Sequence, residues 1–274
     1  MKIVCVVDDR TAPGSSCRVE HGAAFWIVTG GHQVLFDTGQ SGEVLLHNLD
    51  ALGLDPKGLD ALIVSHGHYD HTGGLSALLE QRPGIPFYAH PDLFLPRYRK
   101  TDTDPRRIGP AVDRESVARS ADLRLNKEPV QVVPGLWTTG EISSRPEPEG
   151  RSAYHIIRRD GRWRPDPYRD DLSVVVETTQ GPVLICGCCH AGLLNTLAHV
   201  RALFGTPPVA VVGGTHLIHA DGPTMQRVID VLADYGPPRL WLSHCTGERG
   251  FLALRAAFGQ QVDLYRAGMT VEIQ

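Results

Sequence analysis

The chain has 274 residues, of which 42% are hydrophobic and 21% charged, and a formal net charge of -4. This is the composition of an ordinary soluble globular protein with ample material for a core, and the negative balance gives no electrostatic case for nucleic acid as a partner. No apolar run approaches the roughly 18 residues of a membrane span, so no membrane association is expected.

The first segment, Lys2-Ile3-Val4-Cys5-Val6-Val7, is apolar but short and runs directly into Asp8-Asp9. It predicts a strand over 3–7 rather than a secretion signal. Further short apolar runs predict strands over 24–29, 33–37 and 60–65, with a helix over 42–52. The strand at 60–65 leads into Ser65-His66-Gly67-His68-Tyr69-Asp70-His71-Thr72-Gly73-Gly74. Three imidazoles and one carboxylate on a tight turn at a strand end are placed to ligate one or two divalent ions. Both donor types suit zinc, iron or manganese. The paired glycines allow close backbone approach and an immediate helix over 74–81, with Leu75, Leu78 and Leu79 on its buried side. A strand over 86–89 follows.

Residues 91–153 interrupt this alternation. Prolines recur there, helical periodicity is weak, and seven basic residues between Arg97 and Arg119 outnumber the four acidic ones. A long irregular segment inside a compact chain is usually functional or mobile, so 91–153 is expected to form a lid over the strand ends. Beyond it the alternation resumes. Strands are predicted over 172–177, 182–187, 208–213, 239–243, 262–265 and 270–273, and helices over 191–204, 223–235 and 249–257. The two halves echo each other. Val34 to Gly39 parallels Val183 to Cys188, and Ala61 to His66 parallels Leu240 to His244. Such an echo predicts two sheets packed face to face, helices outside, and a metal site where strand ends converge.

The motif His66-x-His68-x-Asp70-His71 resembles the signature of the metallo-β-lactamase superfamily. So does Phe36-Asp37-Thr38-Gly39, an early strand ending in Asp-x-Gly. Glu20-His21-Gly22, Gly187-Cys188-Cys189-His190, Gly213-Gly214-Thr215-His216-Leu217 and His244-Cys245-Thr246-Gly247 are similar to a narrower subgroup. That subgroup comprises metal-dependent hydrolases resembling 7,8-dihydropterin-6-methyl-4-(β-D-ribofuranosyl)aminobenzene-5′-phosphate synthase. The resemblance implies an α/β fold, the four-layer αββα sandwich, as one domain over 1–274. It also implies a ligand set: His66 and His68 on one metal, Asp70 and His71 on the other, with His190 completing the first site and His244 the second.

The superfamily's bridging Asp is replaced here by Cys188, either a thiolate ligand or, as the favoured reading, a small buried residue. A His that commonly opens the preceding strand is replaced by Asp170-Asp171, and Asp171 either ligates or orients a neighbour. Asp37 and His21 are expected behind the metal ligands, Asp37 first, because a carboxylate behind a metal-bound imidazole fixes its tautomer. His216 is read as substrate-facing and catalytic beside Asp70, with a core or capping role as the alternative.

The expected cofactor is a pair of divalent transition-metal ions, zinc first, with iron and manganese as alternatives. The expected activity is hydrolysis of a small, anionic molecule by metal-activated water. The alternatives are a transferase of the dihydropterin type, an iron-dependent redox protein, and a binding module that keeps the metal for structure. No Gly-x-Ser-x-Gly, phosphate-loop or dinucleotide motif offers a competing chemistry. Arg106, Arg107 and Trp137 are expected to hold the substrate, since arginine suits bidentate recognition of anions and aromatic faces suit planar rings. Cys5, Cys17, Cys186, Cys188, Cys189 and Cys245 fit reduced thiols in a cytoplasm better than a disulfide framework, which usually belongs to small secreted domains.

Overall fold

The computed structural model describes residues 1–274. The first sheet starts with a meander. β1 (Lys2–Val7) pairs antiparallel with β2 (Ala24–Thr29), and β2 with β3 (His32–Phe36). Gly30 and Gly31 form the two-residue hairpin between the last two, both at positive φ, the conformation that such a turn demands. The connections then become helical crossovers. α1 (Gly42–Ala51) is capped by the Ser41 hydroxyl and leads to β4 (Ala61–Ile63), parallel to β3. The single turn α2 (Tyr69–Thr72) and α3 (Leu75–Gln81) lead to β5 (Ile85–Ala89), parallel to β4.

The chain next leaves this sheet through β6 (Arg97–Arg99) and β7 (Arg106–Arg107), then returns to it. α4 (Arg114–Ser120) leads into β8 (Ala121–Leu125), which adds beside β5. β9 (Val130–Val133) and β10 (Leu136–Thr138) begin a second sheet, which the hairpin β11 (His155–Arg159) and β12 (Arg162–Pro165) interrupts. The second sheet is completed by β13 (Ser173–Thr178), β14 (Gly181–Cys186), α5 (Leu193–Phe204), β15 (Ala210–Gly213), α6 (Gly222–Asp234) and β16 (Arg239–Leu242). α7 (Gly247–Phe258) and β17 (Val262–Leu264) follow, while β18 (Thr270–Glu272) crosses back to pair with β1.

Two seven-stranded sheets result, ordered β18-β1-β2-β3-β4-β5-β8 and β17-β16-β15-β14-β13-β10-β9. Between them lies a core that includes Phe25, Phe36, Val174, Val176, Ile185 and Val212. α1 and α3 cover the outer face of the first sheet through Leu45, Leu49, Leu75 and Leu78. α5 and α6 cover the second through Leu194, Leu197, Val228 and Leu232. This is the αββα sandwich that the alternating pattern predicts.

The internal echo is present but pairs differently from the sequence reading. In both sheets three antiparallel pairings are followed by three parallel ones. Val34 opposes Ala61 just as Val183 opposes Ala210. β3 therefore corresponds to β14, as expected, but β4 corresponds to β15 rather than to β16. Short apolar strands are alike enough to be matched one strand out, and only the ladder register separates them.

Residues 91–153 are likewise not one excursion. β8 joins the first sheet and β9 and β10 the second, so only the flanking pieces depart from the sandwich. β6, β7, β11 and β12 form a separate four-stranded sheet ordered β12-β11-β6-β7. Its anchor is Arg97, which is 1% exposed. The Arg97 guanidinium meets Asp166 at 3.0 Å and Asp170 at 2.5 Å and donates to the Leu93 carbonyl. The other oxygen of Asp170 accepts the Gly67 N–H at 2.7 Å, tying the small sheet to the His66–His71 loop.

Removing one member of a buried charge cluster strands the others away from water. Arg97→Ala should therefore lower the unfolding free energy by about 3–5 kcal/mol in a urea titration. A loss below about 1 kcal/mol, the range of exposed pairs, would show that the cluster is not a structural anchor.

Candidate metal centre

The strands of both sheets end on one side of the sandwich, where several turns carry non-glycine residues at positive φ: Asp37, Cys189, His216 and His244. Side chains are thereby turned off the strand direction, those of Asp37, His216 and His244 toward a common point. The centre is organised by Asp37, which is fully buried. Its carboxylate accepts the Ser65 N–H, the Ser65 hydroxyl and the His71 Nδ1–H, each at 2.7 Å. That arrangement fixes the His71 tautomer and turns Nε2 inward.

Outward bonds orient the other imidazoles in the same way. His66 Nδ1 meets the Ser65 hydroxyl at 2.8 Å, His190 Nδ1 the Gly150 carbonyl at 2.8 Å, and His244 Nδ1 the Asp9 carboxylate at 2.8 Å. Two adjacent donor sets converge. His66, His68 and His190 bring one ring nitrogen each within 4.8 Å of the others, with His66 Nε2 and His68 Nδ1 3.0 Å apart. Asp70, His71 and His244 form the second set, the Asp70 carboxylate lying 3.7 Å from His71 Nε2 and 3.4 Å from His244 Nε2. Cys188 joins the two: its Sγ is 3.2 Å from His71 Nε2 and shares a set with His66 and His71.

The electrostatics of the sets differ. Burial pushes His66, His68 and His190 well below the usual imidazole range, toward the neutral form that keeps a lone pair. Burial would also lower His71 and His244, but the carboxylates of Asp37 and Asp70 beside the one, and of Asp70 and Asp9 beside the other, raise both. Burial would raise Asp70, yet His71 and His244 hold it well below the carboxylate range. A cationic group fits the first set, because His190 Nε2 is buried there without a hydrogen-bond partner. An unsatisfied buried polar atom costs about 1–3 kcal/mol, and a metal ion would satisfy it. Neutral imidazoles on one side and carboxylate with thiol on the other are donors that suit zinc or iron.

The centre lies at the floor of a cleft of about 270 Å³. Arg99 and Arg106 line it from the small sheet, and Ser152 and His155 from the segment that enters it. His216 also lines it, its ring 4.4 Å from that of His190, and burial pushes its imidazole down to about 4. His216 belongs to neither donor set. Asp171 is not in a set either: its carboxylate accepts the Ala191 N–H at 2.8 Å and so steadies the turn carrying His190. Two of the expected substrate residues lie outside the cleft. The Arg107 guanidinium donates to the Pro110 carbonyl, and Trp137 lies in β10, donating to Glu177 and packing edge-on against Phe204. Trp137 belongs to a sheet strand rather than to a lid, which removes the reason for placing it over the metals.

Several residues of the site escape the sequence reading. Asp9 buttresses both His244 and His21; His21 itself stands behind a ligand as expected, its Nε2 3.3 Å from Asp70. Although burial would raise it, hydrogen bonds from His21 and His244 hold Asp9 below the carboxylate range. Asp8 accepts the His244 N–H, and burial pushes its carboxyl up to about 7. The signal was present, since Asp8-Asp9 ends a strand just as the ligand motifs do. Tyr168, stacked on His190 at 4.3 Å and hydrogen-bonded to His155 Nδ1 at 2.8 Å, comes from the irregular approach to β13 and has no sequence signature. All six cysteines are free, and Cys186 and Cys189 pack in the core beneath α5 rather than at the centre.

Removal of a buttress should be visible in metal affinity. Asp37→Ala is expected to weaken binding of the second ion by about 10–100-fold in a competitive chelator titration. Unchanged affinity would mean that His71 needs no orienting partner.

Comparison with known proteins agrees with this geometry. The family model described as "Metallo-beta-lactamase superfamily" matches residues 17–221. Over 286 aligned residues the chain is 27% identical to 7,8-dihydropterin-6-methyl-4-(beta-D-ribofuranosyl)-aminobenzene-5'-phosphate synthase of Methanocaldococcus jannaschii, covering 99% of this chain and 96% of that protein. A solved metal-dependent hydrolase of the beta-lactamase superfamily superposes with a TM-score of 0.85 at 27% identity, over 100% of this chain and 99% of the other. Zn(2+)-bound PqqB from Methylobacterium extorquens shares the fold at a TM-score of 0.55 and 14% identity, over 100% of both chains. With the signature turn, the sandwich and the converging donor sets in place, the chain belongs to the metallo-β-lactamase superfamily.

Proposed function

We propose that the protein is a metal-dependent hydrolase with a dinuclear zinc centre, acting on a small anionic molecule. The observation that carries this reading is the pair of adjacent donor sets, linked by Cys188, beneath one cleft. The first ion would be held by His66, His68 and His190, and the second by Asp70, His71 and His244. Cys188 would take the bridging position as a thiolate, its Sγ lying 3.2 Å from His71 Nε2. This reverses the packing role that its residue type alone favours. When bound, paired transition-metal ions lower the pKa of a shared water and polarise the bond under attack.

The chain's own residues would do the rest. Asp70, beside His21, His71 and His244, is placed to accept a proton from a nucleophile at the cleft floor. His216, neutral because it is buried, offers one N–H and one lone pair to the substrate. Arg99 and Arg106 would hold an anionic group at the mouth. Six free thiols fit the reducing conditions of a cytoplasm, and no helix is long and apolar enough to cross a membrane.

A transferase is the second reading. Its support is the near-full-length relationship to a synthase whose named product carries a phosphate and a pterin ring. A product screen with the metal-loaded protein against phosphoesters, lactones, thioesters and pterins separates the two. Water-dependent cleavage supports the first reading, and joining of two substrates without net hydrolysis supports the second. Iron recovered from anaerobic preparations, with zinc inactive, would turn both toward redox chemistry.

His68→Ala or His71→Ala should each reduce metal content toward one ion per chain and abolish turnover, with circular dichroism unchanged. Full stoichiometry in both variants would remove the ligand assignment. In cobalt-loaded protein, Cys188→Ser should eliminate the thiolate-to-metal charge-transfer band, and persistence of the band would return Cys188 to a packing role. Arg99→Gln with Arg106→Gln should raise KM for an anionic substrate more than for its neutral analogue. Each lost charge-assisted hydrogen bond is expected to cost about 1.5–3 kcal/mol. Equal KM changes on both substrates would remove the anion assignment.

A further inference from the structure

The net charge of -4 conceals a strong local imbalance. The strands of the small sheet contain eight arginines and no carboxylate. Only Arg97 is neutralised, by Asp166 and Asp170. Arg99, Arg106, Arg107, Arg158, Arg159, Arg162 and Arg164 are exposed, and their neighbours Asp102, Asp104 and Asp160 form no ion pair with them. A small substrate in the cleft accounts for Arg99 and Arg106, which line it. The remaining five need another explanation, because uncompensated like charges on one small sheet repel one another.

Register sorts these side chains by face. Tyr98 opposes Ile156 and Arg107, Ile156 opposes Pro165, and Arg158 opposes Trp163. Tyr98, Arg107, Arg158 and Trp163 therefore share the outer face, away from buried Arg97. Trp163 is 46% exposed there. Tyr98 supports its ring edge-on at 5.0 Å, and the Arg158 guanidinium lies 5.6 Å from its centroid. A held aromatic face among guanidinium groups that have no carboxylate partner is the combination that binds unpaired bases and their phosphates. Apart from Trp163 and neighbouring Tyr154, no large exposed apolar side chain is available there to enter a bilayer.

We propose that the outer face of this sheet binds single-stranded nucleic acid. A base stacks on Trp163, and phosphates pair with Arg107 and Arg158 on the same face, while Arg159, Arg162 and Arg164 lie on the face of Arg97. Four strands span roughly 14 Å from the β12 edge to the β7 edge, so the bound segment is a few nucleotides long. This surface is separate from the metal ligands and does not depend on the hydrolase reading.

The test is fluorescence anisotropy with the full-length, metal-loaded protein and labelled oligouridylate or oligodeoxythymidylate of about 15 nucleotides, a length within single-strand site sizes. Binding should be present at about 50 mM salt and weaken at least ~10-fold by about 200 mM as counterions are released. Arg107→Glu with Arg158→Glu should weaken it at least ~10-fold, and Trp163→Ala by ~5-fold or more, the loss expected for one stacked base. Metal content and turnover of a small substrate should be unchanged in both variants. Four results would overturn the proposal: no binding at low salt, binding unmoved by both variants, a duplex bound as tightly as a single strand, or capture by phosphatidylserine vesicles in place of the oligonucleotide.

Discussion

A carboxylate with no access to water must have all its partners supplied by the protein, and Asp37 receives them from Ser65 and His71 alone. Because Ser65 in turn meets His66, one buried anion sets the orientation of imidazoles in both donor sets. The geometry of the centre thus rests on a position at the end of β3, nearly thirty residues before the first ligand. The same anion explains why His71 is held with Nε2 inward although burial disfavours its charged form. Orientation and basicity come from the same hydrogen bond.

The sandwich makes this convergence possible. Parallel strands in each sheet deliver their C-terminal ends to the same edge, and crossover helices carry the chain back behind them. In open sheets with crossovers of this kind, ligand sites form at the strand ends. Here two such edges face each other, so residues as distant in sequence as Asp9 and His244 come within 2.8 Å. The small sheet closes one side through Arg97 and Asp170, whose bond to Gly67 reaches the turn between the first two ligands.

Much of this was legible in the sequence. Period and strand-end motifs located nearly every element of the sandwich, and the clustered histidines with Asp70 identified the centre. What was not legible depends on register and on irregular backbone. The equivalence of β4 and β15 needs the ladder, because Ala61-Leu62-Ile63 resembles any buried strand. The strands within 91–153 are two to five residues long, and β6, β7 and β8 carry charges at the positions that would mark alternation, so they read as a loop. Tyr168 reaches the centre from irregular backbone, where no periodic signal exists, and His155 from the first position of the short strand β11. The small sheet's charge was averaged away in the whole-chain total.

The glycines around the centre bear on how such a protein diversifies. A Cβ at Gly22 would lie 2.2 Å from the Asp70 carbonyl oxygen, at Gly67 2.1 Å from the Leu93 oxygen, and at Gly73 1.9 Å from the Gln40 oxygen. At Gly187 it would meet the Ser65 hydroxyl at 2.4 Å. These are contacts with backbone or with an immobilised side chain, so they leave no room to adjust. Replacement is blocked around the ligands as firmly as at the ligands themselves. The exposed side chains of the small sheet carry no such restriction. Drift in what the protein recognises is therefore channelled into that sheet, while the chemistry beneath it stays locked.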